Sequence, residues 1–132
     1  MAVAGTDLDF TSPMPLGRGY KSSHPQLALG GYDHNFCIRG RGMRQGGYAK
    51  DPKSGRALEF FTDLPGVQLY TTVHLFDKIC HGKDKAEYRK SAGFCLETQH
   101  YPDSVNLTHF PNPMYKAGEK FVSETIFRFF AE

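Results

Sequence analysis

The sequence predicts an all-β protein built as an antiparallel β-sandwich. Apolar residues recur at period two in several runs, whereas no run sustains the three-to-four spacing of an amphipathic helix. Pro- and Gly-containing stretches separate those runs. The composition adds 11 Phe and 7 Tyr to 14 Gly and 8 Pro, with no Trp, a balance that suits many short strands joined by turns. No helix is expected beyond a single turn near Gln99–Val105.

The chain has 132 residues, one domain's worth and enough for a real core. Hydrophobic residues make up 39% and charged residues 23%, which places it among globular rather than disordered chains. A formal net charge of +2 is too small to imply a polyanionic partner, so no nucleic acid is expected. No apolar run approaches a membrane span, and the N-terminus lacks a charged head followed by an apolar core. The 3 cysteines, Cys37, Cys80 and Cys95, form no CxxC motif and read as reduced thiols, which points to the cytoplasm. Asn106-Leu107-Thr108 matches a glycosylation sequon but, without a secretion signal, reads as a chance match.

Residues 1–31 read as a loop-rich opening segment with little core of its own, interrupted by Pro13, Pro15 and Pro25. Asp7-Leu8-Asp9-Phe10 is the one short strand expected there. The strands are expected over residues 32–132. Tyr32 to Ile38 is the first: Tyr32, His34, Phe36 and Ile38 share one face, while Asp33, Asn35 and Cys37 share the other. Asp33 and Asn35 projecting together suit hydrogen bonding to a polyol, or else mark a solvated edge face. Arg39 to Tyr48 mixes arginines, glycines and an aromatic, the composition of RNA-binding arginine–glycine tracts. A flexible hairpin loop between two strands is the preferred reading. Lys50 to Arg56 carries the Asp-Pro and Ser-Gly punctuation of a turn.

Ala57 to Asp63 and Val67 to Leu75 are expected to pair as a hairpin about Leu64-Pro65-Gly66. Gln68, Tyr70, Thr72 and His74 share the polar face of the second strand. An amide beside a ring there suits a sugar, the ring stacking on a pyranose while the amide bonds its hydroxyls. Phe76 to Lys90 reads as a long charged loop. Cys80, His81, Cys95 and His100 match no zinc spacing, and no metal is expected. Tyr115 to Glu119 turns into a last strand over Phe121 to Phe130, apolar on both faces and so expected to be central and buried.

The most informative stretch is Gly93-Phe94-Cys95-Leu96-Glu97-Thr98-Gln99-His100-Tyr101-Pro102-Asp103-Ser104. Phe94 to Leu96 reads as a buried strand that delivers Glu97 to the start of a loop, where folds present working side chains. Flanked by Phe94, Leu96 and Tyr101, the Glu97 carboxylate is expected to be partly desolvated, as suits a base at neutral pH. The alternative is an ordinary solvated Glu beside a turn.

Several of these stretches, in this order, resemble the C-terminal part of the aldose 1-epimerase family, also called galactose mutarotases. They are Val3-Ala4-Gly5-Thr6 with Asp9-Phe10, Gly31 to Phe36, Pro65 to Thr71, Gly93 to Gln99 with Tyr101 to Asn106, and Phe110-Pro111 followed by Ala117-Gly118-Glu119. The resemblance implies a partial β-sandwich of the galactose mutarotase type, the C-terminal portion of a longer domain. It implies interconversion of the α- and β-anomers of free hexoses such as galactose and glucose, with no cofactor. By motif, Glu97 resembles the family's catalytic base, and Asp33 and Gln68 its sugar-hydroxyl contacts.

The family's ring-oxygen acid is a His, and a second His touches the sugar; both belong to the N-terminal half of the family's pattern. None of His24, His34, His74, His81, His100 and His109 stands in a matching context. After Thr71 the family usually has Gly-Asn, where this chain has Thr72-Val73-His74. The chain is therefore expected to be inactive alone, to self-associate, or to pair with a missing N-terminal half. Competing expectations are a non-catalytic carbohydrate-binding or interaction protein of the same fold, and a glycoside hydrolase pairing Glu97 with Asp103 or Asp33.

Overall fold

The computed structural model describes residues 1–74 and 80–132, and of Cys80 only the backbone. The expected strand end at Leu75 and the first residues of the expected Phe76–Lys90 loop lie outside the described residues. Eight strands follow in chain order: β1 (Asp33–Cys37), β2 (Arg44–Lys50), β3 (Arg56–Thr62), β4 (Gly66–Tyr70), β5 (Cys80–His81), β6 (Glu87–Tyr88), β7 (Cys95–Gln99) and β8 (Thr125–Ala131). The described strands form three sheets of order β1-β4-β7, β2-β3-β8 and β5-β6, so the all-β expectation holds. A single short helix, α1 (Gly17–Tyr20), and two 3-10 turns accompany them among the described residues. Residues 102–105 form hydrogen-bonded turns where a helical turn was expected.

The chain divides into two compact units, Met1–His34 with Leu69–Leu96, and Asn35–Gln68 with Glu97–Glu132. The first unit is built around Tyr32, which is fully buried. Its hydroxyl donates to the Asp7 carbonyl at 2.8 Å, and its backbone N–H donates to Thr71 Oγ1 at 2.8 Å. Thr71 N–H returns a bond to the Tyr32 carbonyl at 2.9 Å. Leu8 and Leu27 are buried in the same unit, so residues 1–31 contribute more core than their Pro-rich sequence suggests. Residues 7 and 8 form a turn, and 9 and 10 do not continue as a strand, because Asp9 N–H bonds the Thr6 carbonyl and Leu8 N–H bonds Thr6 Oγ1. The Phe76–Lys90 region, where described, is not plain loop: Cys80 pairs with Tyr88 and His81 with Glu87.

In the second unit, β2 and β3 form the hairpin. The Arg39–Tyr48 run is a loop only up to Met43; from Arg44 it is strand. Glycine is needed in that strand, since a Cβ at Gly46 or Gly47 would run into the buried ring of Phe60. The hairpin turn follows the expected punctuation: the Asp51 carboxylate accepts from Lys53 N–H, Ser54 N–H and Ser54 Oγ. The expected pairing of the Ala57–Asp63 and Val67–Leu75 strands does not occur, because β3 and β4 lie in different sheets. Arg44 holds the corner between them. Its guanidinium donates to the carbonyls of Thr62 at 2.9 Å, Leu64 at 2.8 Å and Gly42 at 2.8 Å. This arginine serves the backbone, whatever the composition of its neighbours.

The last strand also departs from expectation. β8 lies at the sheet edge beside β3 rather than centrally. Ile126, Phe127 and Phe129 are exposed, Phe129 by 73%. Its apolar residues on both faces are therefore not covered within this unit, which is why the sequence reads like a buried strand. Opposite β3, Arg128 pairs with Glu59 at 2.9 Å across the register.

Candidate functional site

Asp33 opens β1 in the first unit, directly after the buried Tyr32. Gly31 makes this approach possible. Its φ is +146°, and a Cβ there would strike Val73 and come within 2.7 Å of Thr71 Oγ1. The Asp33 N–H donates to His34 Nδ1 at 3.0 Å, and its carboxylate Oδ2 lies 3.0 Å from His74 Nε2. The His74 ring is stacked against Tyr70, 14° from parallel with centroids 6.1 Å apart. His74 N–H in turn donates to the Tyr70 hydroxyl at 3.2 Å. Tyr70, expected to offer a bare ring beside Gln68, thus has one neighbour already.

β4 ends at Tyr70 rather than continuing to Leu75. Thr72 takes φ +56°, a left-handed conformation that a β-branched residue adopts at a cost and that ends the strand. A glycine would take it freely. The Thr72 hydroxyl offsets part of the cost by accepting from Ser91 N–H at 2.8 Å. The turn that follows carries His74 to Asp33.

Gln68 lies on β4 and Glu97 on β7, in the second unit; the two strands are neighbours in the sheet. The Gln68 amide oxygen is shielded from solvent. Glu97 is the middle residue of β7, not the end of a strand, and it is exposed. Phe94 and Cys95 are exposed as well, so the desolvating surround expected of Glu97 is not found. Alternation explains this, since Cys95, Glu97 and Gln99 point to one face of an edge strand and Leu96 and Thr98 to the other. The inward Thr98 fixes the strand. Its hydroxyl lies 2.7 Å from that of Thr125, which lies 3.1 Å from that of the buried Thr62. This run of hydroxyls ties β7, β8 and β3 together one residue from Glu97.

Asn35 does not join Asp33 as an open polyol contact. Its amide nitrogen is buried without a hydrogen-bond partner among the described residues, beside Gly66 and Tyr101. Burial pushes the Tyr101 phenol up, and a hydrogen bond with Cys37 adds to the shift. The carboxylate of Asp103 accepts from Asn106 Nδ2 at 2.5 Å and caps its own turn, an arrangement suited to loop structure rather than to a second catalytic carboxylate. Among the described residues no three His, Cys, Asp or Glu side chains cluster as metal ligands, and no helix is long and apolar enough to cross a membrane. The side chain of Cys80 lies outside the described residues.

Sequence reasoning placed His74 on the polar face with Gln68 but did not join it to Asp33. The two are 41 positions apart, and strand periodicity carries no information over that distance. The one signal was the departure of Thr72-Val73-His74 from the family wording.

The family model for aldose 1-epimerase matches residues 1–128. The chain is 42% identical over 129 residues to galactose mutarotase of Bos taurus, covering 97% of this chain and 36% of that protein. It is 41% identical to galactose mutarotase of Homo sapiens, with 96% and 36% covered. It is 29% identical to aldose 1-epimerase of Escherichia coli K12, with 99% and 38% covered. Among solved structures, a GalM/aldose epimerase homologue from C. elegans aligns with a TM-score of 0.80 at 25% identity, over 98% of this chain and 38% of that one. The chain thus spans 36% of the length of the mammalian relatives it matches.

Proposed function

The chain belongs to the aldose 1-epimerase family, and on that premise we propose that it carries the base and hydroxyl-binding residues of a mutarotase site for free hexoses such as galactose and glucose. Glu97 takes the proton of the anomeric O1 hydroxyl as the bond from C1 to the ring oxygen breaks. The ring oxygen receives a proton from an acid, and the open aldehyde turns about C1–C2. The ring oxygen then adds to the opposite carbonyl face and releases its proton, while Glu97 returns its own to O1. All protons are restored, and the scheme needs no redox partner. By their motifs, Asp33 and Gln68 are each read as a contact to a sugar hydroxyl.

The observation that carries this reading is the exposed Glu97 carboxylate on β7, within the run that resembles the family's base motif. Exposure leaves it accessible to a sugar. A second reading, carbohydrate binding without turnover, is favoured by one observation: no histidine of the chain stands in the context of the family's ring-oxygen acid. Polarimetry on freshly dissolved α-D-galactose tests whether the chain by itself turns the sugar over. The chain alone is expected to mutarotate the sugar little faster than the spontaneous rate. A strong rate, lost in Glu97→Gln, would contradict the missing acid and establish the chain as a working epimerase.

A further inference from the structure

We propose that His74 is a positioning residue for the sugar site, acting through Asp33. The inference rests on the reading of Asp33 as a sugar-hydroxyl contact and extends it to a residue that lies outside the family wording.

The geometry points to one task. His74 Nε2 is 3.0 Å from Asp33 Oδ2, so this nitrogen carries the proton, in the neutral or the charged ring. The imidazole is not a loose surface group, although it is 54% exposed against 34% for Asp33. Tyr70 stacks on its face, and the Tyr70 hydroxyl accepts the His74 backbone N–H. The turn that carries it is pinned by the bond from Ser91 N–H to Thr72 Oγ1. On the other side, the backbone of Asp33 is held by its bond to His34 Nδ1. Both ends of the His74–Asp33 bond are thus anchored to separate elements.

A carboxylate offers about four acceptor positions, and the His74 bond uses one. That bond constrains the plane of the carboxylate and thereby the directions in which it accepts from a sugar hydroxyl. Removing the donor removes one constraint on the carboxylate, which should weaken a hydroxyl contact without abolishing it. Among the described residues, His74 meets Asp33 on β1 and the ring and hydroxyl of Tyr70 at the end of β4.

The test is D-galactose titration of the chain followed by NMR, in the wild type and in His74→Ala, His74→Gln and Asp33→Asn. The expected result is loss of binding in Asp33→Asn and a dissociation constant about threefold to tenfold higher in His74→Ala, the size of one lost hydrogen bond. His74→Gln, which keeps an N–H donor, should recover most of the affinity. If Asp33→Asn abolishes binding while His74→Ala matches the wild type, the positioning role is wrong and the reading of Asp33 stands. If Asp33→Asn binds normally, or the wild type does not bind galactose, the reading of Asp33 fails and the role of His74 fails with it.

Discussion

The positions that decide this molecule are small ones set against large ones. Gly31 lets the chain pass Val73 and Thr71 on its way to Tyr32 and Asp33. Gly31→Ala forces a Cβ into rigid neighbours at a φ that alanine rarely adopts, and is expected to cost about 1–3 kcal/mol. Urea unfolding measures it as a lower midpoint at unchanged slope. A charge effect belongs to the same scale. The Asp7 carboxyl is held below its usual value by the Ser22 hydroxyl and then by Arg18, with desolvation opposing both. A group lowered in the folded chain contributes its stability above the ordinary carboxylate range and loses it as pH falls through the lowered value. Melting temperature measured from about pH 5 to pH 2 should therefore fall with acid, and less steeply in Ser22→Ala. An identical acid slope in the variant would remove Asp7 from the account. Neither effect was legible in the sequence. Gly31 was seen only as part of a motif, and the Asp7–Ser22 contact spans 15 positions.

At the scale of elements, the strand inventory was readable and the pairing was not. β1, β3 and the turn at Asp51–Gly55 follow from alternation and punctuation. The strand β2 was missed because its glycines look like loop, although they are there to admit the Phe60 ring. The change of sheet at Leu64–Pro65 was missed because proximity in sequence favours a hairpin. Five donors on one arginine and a Pro65 carbonyl bonded to Ile38 N–H override that preference, and both depend on long-range partners. Glu97 was singled out by its motif, but its surroundings were misjudged. A run of Phe, Cys and Leu looks buried, yet on an edge strand one side of it faces water. What holds Glu97 in place is the hydroxyl run of Thr98, Thr125 and Thr62. Thr125→Val keeps the shape and removes the central hydroxyl. It is expected to cost about 1–3 kcal/mol, since the partner hydroxyls lose a bond where Thr62 is buried. Sugar affinity should fall with it, whereas Thr125→Ser, which restores the hydroxyl, should recover both. A Thr125→Val protein as stable as the wild type would show that the hydroxyls do not carry the strand.

For the whole molecule, the family was legible from motifs because each preserves local wording, and the family match over residues 1–128 bears it out. The arrangement of the site residues was less legible. Asp33 belongs to one compact unit, and Gln68 and Glu97 to the other. Within that second unit Gln68 and Glu97 lie on neighbouring strands, and the proposed function requires that they serve one sugar. Two-dimensional amide NMR during D-galactose titration tests this. The prediction is saturable shifts at Gln68 and Glu97 that yield a single dissociation constant. Shifts at only one of the two, differing constants, or no saturable shift at either would contradict it.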